Sequence, residues 1–374
     1  MFDYETLRLM WWLLLGVLLA GFAVTDGYDL GVGAILRLIA RDDVERRMAI
    51  EAIEPHWEGH QVWFVLGGGA VFAAWPLLYG AAFSGFYFAM LLVLLALILR
   101  PVGFAFRNKL TSLQWRGAWD WALTIAGAVP SLVFGVAFGN LFLGVPFHYT
   151  DSLRSVYDGS FIGLFHPFAL LCGVLSLSML VAHGGTFAAM KIEDPVGARA
   201  QRIARIAAIV ALVAFIGCGL WLTSLPGHVL ASVVDGNGPS NPLHKQVSVV
   251  AGGWMTGAGR LPWAWPAAVI AGLGLVGVVV LRARRLAFVA SAIAVAAIVF
   301  TGGFALFPFL LPSATDPSQG LTVWDASSSK STLGTMLFAT VVLLPLVLAY
   351  STWAFRVMRG QVTRAHVEES EEGY

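Results

Sequence analysis

The sequence predicts an all-α integral membrane protein, and three observations carry that expectation. Charged residues are only 12% of the 374, about half the share of roughly 25% found in soluble domains. Apolar residues reach 58%, and the mean hydropathy is +0.77. Apolar runs of membrane length recur along the chain, with basic residues gathered in alternate connections. Forty-one Gly and fourteen Trp agree with this, since small residues let membrane helices approach closely and Trp sits at the water interface. A disordered chain is excluded, and a net charge of +1 gives no case for nucleic-acid binding.

A hydrocarbon core of about 30 Å needs about 20 apolar residues in a helix. Nine runs qualify, near 9–36, 57–76, 79–99, 118–142, 161–183, 203–224, 262–281, 286–311 and 332–355, forming a single polytopic domain over 1–374. The first run is interrupted by Asp26 and Asp29. Asp3 and Glu5 stand where a cleavable signal would be basic, so the first span is expected to be retained. The second and third runs almost touch at Trp75-Pro76. The connection 225–261, rich in Pro, Gly, Asn and Ser, reads as an irregular loop, and a second loop runs about 312–331. The acidic tail 365–374 reads as mobile.

Orientation follows from Lys and Arg. Five alternate connections hold 18 of the 23 basic residues: Arg37 to Arg47, Arg100 to Arg116, Lys191 to Arg205, Arg282 to Arg285, and Arg356 to Arg364. The other five (Arg8, Arg154, Lys245, Arg260 and Lys330) fall in the opposite set. This pattern requires an odd number of spans, with the N-terminus outside and the C-terminus cytoplasmic.

Ionisable groups inside spans cost several kcal/mol and are paired or functional. Asp26 and Asp29, three apart, share one helix face. Glu58 opens the second span, Asp120 opens the fourth between Trp119 and Trp121, and Arg100 closes the third as their natural counter-ion. One reading is a relay of protons through bridging water. The other is a charge network fixing helix ends, favoured for Asp120 as a first-turn acid. Asp26 is also placed to snorkel to the interface.

His56 and His60, four apart on one face, have a metal-binding spacing but lack further ligands in any motif. His166 and His183 bracket the fifth span, where interfacial hydrogen bonding outweighs haem ligation. Cys172 and Cys218 read as buried small hydrophobes. Gly67-Gly68-Gly69 lies in an apolar run and reads as helix packing, and the chain has no phosphate-binding loop, dinucleotide fingerprint or nucleophile elbow.

The residues also match a known family in order. The matching strings include Gly21-Phe22-Ala23-Val24-Thr25-Asp26-Gly27-Tyr28-Asp29-Leu30-Gly31-Val32-Gly33, Pro55-His56-Trp57-Glu58-Gly59, and Phe72-Ala73-Ala74-Trp75-Pro76. Arg100-Pro101-Val102-Gly103-Phe104, Trp119-Asp120-Trp121, Gly135 to Asn140 and Trp324-Asp325-Ala326 continue the series. On these strings the chain resembles subunit II of the cytochrome bd quinol oxidases.

The resemblance implies a bacterial cytoplasmic-membrane complex that oxidises quinol and reduces dioxygen to water, separating charge without a pump. Two b-type haems and one d-type haem sit in the partner, subunit I, which also carries the quinol-oxidising loop. Subunit II holds no haem or metal, is not catalytic alone, and folds as two four-helix bundles plus a peripheral helix. Small accessory subunits and a structural quinone or lipid are associated with such complexes.

The resemblance also assigns a proton path from the cytoplasm to the acid after the Trp of the Pro-His-Trp string, here Glu58. Many relatives carry Asp there, and Asn where this chain has His60, so the longer Glu and the nearby His are expected to move the protonable group or change its pKa. Asp29 and Arg100 match positions near the same path, Asp26 and His60 adjoin it, and Trp63 matches a position near a dioxygen entrance or serves in packing. The competing classes are a secondary transporter or channel and a haem-bearing subunit. The first lacks paired Gly/Pro-broken spans, and for the second, which needs His or Met at matched depth on facing helices, the chain offers few at mid-span.

Overall fold

A computed structural model describes residues 2–255, 262–357 and 360–369 of the chain. Arg260, Arg359 and the end of the acidic tail, on which part of the charge reading rests, lie outside the described residues.

Helix α1 (Tyr4–Ile39) begins where the Asp3 carboxylate accepts from Thr6 N at 3.0 Å. It runs unbroken for 36 residues, so Asp26 and Asp29 lie within the helix rather than ending it. Short α2 (Asp43–Glu51) follows, capped by Asp42. Helices α3 (Trp57–Ala74), α4 (Pro76–Gly85) and α5 (Tyr87–Phe106) come next. Pro76 cannot donate to the preceding turn, so α3 stops at Trp75, and the expected third span divides again at Phe86.

Helices α6 (Leu113–Leu143), α7 (Pro167–Lys191) and α8 (Val196–Leu222) complete the central part. Ser112 caps α6, so that helix starts five residues before the expected boundary at 118. Helix α7 starts at Pro167 rather than near 161, with Pro at the first helical position and His166 as cap. The last long helices are α9 (Ala264–Val280), α10 (Arg284–Leu306) and α11 (Lys330–Val357). Among the described residues, seven helices are long and apolar enough to cross a membrane. Polar residues in the first turns of α3 and the 17-residue length of α9 keep those two below that standard.

Small antiparallel hairpins occupy the connections assigned to the less basic side. They are β1 (Phe147–Tyr149) with β2 (Ser155–Tyr157), β3 (Pro226–Leu230) with β4 (Val247–Ala251), and β5 (Phe309–Leu311) with β6 (Leu321–Thr322). The loop expected to be irregular over 225–261 therefore contains a paired hairpin, because β-branched residues such as Val229 and Val249 outweigh the flanking Gly and Pro. The run 286–311 likewise ends as strand, since the helix stops before Pro308. The tail is ordered through α12 (Arg364–Glu369), whose Val367 is buried and whose Arg364 meets Asp42 at 3.2 Å. This corrects the mobile reading for residues 365–369, where a buried Val anchors the acidic segment.

Helix α1 is the axis of the packing, and glycine explains how. A Cβ on Gly31 would strike the Leu180 carbonyl of α7, and one on Gly127 of α6 would strike the Leu30 carbonyl. The backbones of α6 and α7 thus close on α1 from two sides, as small residues permit in a membrane. That closeness fixes the rotation of α1 and turns Asp26, Tyr28 and Asp29 all into the interior.

Candidate functional site: a buried acid, histidine and arginine cluster

Asp26 is held by Arg100 of α5. Nη1 donates to Oδ1 at 2.5 Å and Nη2 to Oδ2 at 3.2 Å, a two-pronged contact between side chains nearly sealed from the surface. The fork geometry suits a buried pair, where each charge offsets the desolvation of the other. Asp26 therefore does not snorkel, because its face of α1 points into the bundle. Trp57 lies 5.9 Å from the Arg100 guanidinium carbon.

Asp29, one turn further along α1, pairs with His60 of α3. Its Oδ2 lies 2.7 Å from His60 Nδ1, and His60 Nε2 lies 3.3 Å from the Tyr28 hydroxyl. A carboxylate, an imidazole and a phenol are thus joined in line, with both ring nitrogens engaged. The other carboxylate oxygen, Asp29 Oδ1, is buried with no hydrogen-bond partner among the described residues. Asp29 and Arg100 also line a cavity of about 10 Å³ with Ile50, Ile53, Phe104 and Leu123, a space at the threshold for one water molecule.

Asp120 belongs to a separate web. It accepts from Arg107 Nε at 2.6 Å and from Arg46 at 3.1 Å, while Asp43 meets Arg107 at 2.8 Å and Arg116 at 2.6 Å. Because α6 starts at Leu113, Asp120 lies two turns inside it and not in its first turn. The expected common counter-ion is thereby divided: Arg100 serves Asp26, while Arg107 and Arg46 serve Asp120.

Glu58 is exposed on the first turn of α3, apart from the Asp29–His60 pair. Trp63 is buried, and a Cβ on Gly21 would lie 2.7 Å from its ring, so the indole fills a notch in α1. That contact supports its packing reading. His183 is fully buried, with Nε2 2.8 Å from the Val24 carbonyl and Nδ1 2.7 Å from Ser291 Oγ. His166 Nδ1 accepts from Phe168 N as a helix cap. Cys172 and Cys218 are buried with their sulfurs 3.7 Å apart.

Two residues at this end escaped the sequence reading. Tyr28 lies inside the Asp26-Gly27-Tyr28-Asp29 string, but a Tyr in an apolar run carries no distinct signal. Glu54, in the turn between α2 and α3, has its carboxyl pushed up to about 7 by burial and by the Glu51 charge beside it. Ile53, its neighbour, lines the cavity.

These features define a polytopic helical membrane protein with an ionisable cluster buried at one end of its bundle. The sequence profile described as cytochrome bd terminal oxidase subunit II matches residues 7–358. The chain is 46% identical to the cytochrome bd-I ubiquinol oxidase subunit 2 of Escherichia coli, over 377 residues and 99% of each chain. It is likewise 46% identical to a probable cytochrome oxidase subunit 2 of Haemophilus influenzae over 99% of each chain. Identity to the Bacillus subtilis cytochrome bd ubiquinol oxidase subunit 2 is 28%, over 95% of this chain and 96% of the relative. Among solved structures, the fold matches the bd oxidase of Geobacillus thermodenitrificans with a TM-score of 0.63 at 16% identity, covering 94% and 98% of the two chains.

The chain belongs to the cytochrome bd terminal oxidase subunit II family. It is a subunit of a terminal oxidase complex of the bacterial inner membrane, which decides against the transporter and channel readings.

Proposed function

We propose that the chain is the haem-free partner of a haem-bearing subunit I in an electrogenic quinol:dioxygen oxidoreductase, and that it passes protons from the cytoplasm toward that partner. In this reading nine spans place the N-terminus outside and the C-terminus inside. Helix α3 and the 17-residue α9 then cross with the seven longer helices. The names of the Escherichia coli and Bacillus subtilis relatives support a quinol substrate. Both nitrogens of His183 are committed within this chain, which supports haem sites elsewhere.

One observation carries the proton role: the 2.7 Å Asp29–His60 contact, with its unpartnered oxygen beside a water-sized cavity. Water in that cavity would complete the hydrogen bonding of Asp29 Oδ1 and bring protons to it. Imidazole has two nitrogens, so a proton accepted at one releases a proton from the other. His60 thereby links the Asp29 carboxylate to the Tyr28 hydroxyl. Arg100, neutralised by Asp26, fixes the cavity wall without repelling a proton as a bare cation would. Glu58, exposed on the first turn of α3, and Glu54, next to the cavity-lining Ile53, would gather protons from the aqueous side. The His60 link stands in for the Asn that the resemblance associates with this position.

The test is charge translocation by the complex in sealed vesicles, comparing wild type with Asp29→Asn and His60→Asn. Slower turnover with normal haem content supports the role. Unchanged turnover and charge movement in both variants would remove it.

A further inference from the structure

We propose that the basic end of α8 is a binding site for an anionic phospholipid, with the phosphodiester held by Arg202 and Arg205 and an acyl chain lying along the helix. This goes beyond the proton role and involves none of its residues. An open cleft of about 490 Å³ is lined by Ala198, Gln201, Arg202, Arg205 and Ile206. Their spacing places them on one face of α8.

The cleft is cationic because its arginines lack carboxylates. Neighbouring Arg199 is neutralised by Glu45 at 2.6 Å, and Arg284 by Asp194 at 2.6 Å. Arg202 and Arg205 make no ion pair among the described residues. The closest polar contact of Arg205 is a long one, 3.5 Å from Nη2 to the Leu281 carbonyl. Two donor atoms there, Arg205 Nε and Gln201 Nε2, are buried and have no hydrogen-bond partner among the described residues. An unmet buried donor is costly, and a phosphate oxygen would meet both needs, charge and hydrogen bond.

Lipid is favoured over a free anion by what lies below the cleft. The same face continues through Ile209, Val213, Ile216 and Leu220, which are 49%, 65%, 52% and 68% exposed. From Arg205 to Ile216 the helix rises about 16 Å, close to half the hydrocarbon core. A headgroup at the arginines would therefore put its chain along an apolar stripe about one leaflet deep. Basic pockets between membrane helices on the cytoplasmic side bind such headgroups by the same logic.

The experiment titrates the intact purified complex, in phosphatidylcholine-containing detergent, with phosphatidylglycerol and counts bound lipid by native mass spectrometry. The expected result is one phosphatidylglycerol per complex that is lost in Arg202→Gln/Arg205→Gln. Affinity should fall about fivefold for each arginine removed. Gln201→Ala removes a donor at unchanged charge and should also weaken binding, which keeps the test decisive if the double variant does not assemble. Arg41→Gln removes one charge on the same side and should change nothing. The proposal is overturned if Arg41→Gln weakens binding as much as Arg205→Gln, if phosphatidylcholine competes equally, or if inorganic phosphate displaces the lipid.

Discussion

Asp29 and His60 stand 31 residues apart in the chain and 2.7 Å apart in the fold, joined between α1 and α3. The pair exists because α1 is clasped by α6 and α7 through Gly127 and Gly31, which sets its rotation. Tyr28 extends the pair on the far side of the imidazole at 3.3 Å.

Coupling should be visible between the two. Asp29→Asn and His60→Asn should each lower oxidase turnover, and the double variant should be little worse than the poorer single. Residues in one hydrogen-bonded unit act non-additively, with interaction energies of about 0.5–3 kcal/mol. Additive losses in steady-state turnover would mean that the two residues act separately.

Arg100 and Asp26 form the second test, one of stability. Arg100→Gln leaves a buried carboxylate without its counter-charge, at a cost of about 3–5 kcal/mol. Thermal unfolding of the complex should shift down strongly, and Asp26→Asn/Arg100→Gln should recover part of the loss. A double variant as unstable as Arg100→Gln would show that the arginine matters through packing alone.

Glu58 stands outside the paired cluster, so its charge is not needed to hold α1 against α3. Glu58→Gln should leave haem content near normal while slowing turnover. Full quinol oxidase activity in that variant would take Glu58 out of the proton path.

Glu54 gives a pH prediction. Its folded value of about 7 lies above the ordinary 4.5, because burial and Glu51 disfavour its charge. The folded chain therefore holds a proton that the unfolded chain has released between those values. The contribution is fully present below pH 4.5 and is lost as pH rises through 7. Glu54→Gln should flatten the pH dependence of the melting temperature across that window. An unchanged slope would place the titration on another group.

Gly31→Ala tests the clasp itself. The added methyl would meet the Leu180 carbonyl, which is backbone and has no flexible end to yield. The complex should assemble poorly or melt earlier. Gly67, Gly68 and Gly69, expected to serve helix packing, have nothing within 4 Å of an added Cβ among the described residues, so Gly68→Ala is the matched control and should leave the packing of this chain unchanged.

The sequence by itself determined the membrane class, the location of the apolar runs and which acids interrupt them. Hydropathy and charge are local sums, and a bilayer imposes them on each segment independently. Asp26, Asp29, Glu58 and Arg100 could be singled out for that reason, and family strings supplied the oxidase context. Pairing was not legible in this way. By charge and position in the sequence Arg100 suits several acids at once, and Asp120 reads as a first-turn acid although α6 starts further upstream at Leu113. Which acid meets which base depends on the rotation and depth of each helix. These are set by close contacts such as Gly31 on Leu180 and by cap positions such as Ser112. Only the tertiary structure decided that Asp26 takes the arginine and Asp29 the histidine. The two acids are one turn apart, and the packed neighbours on their shared face differ.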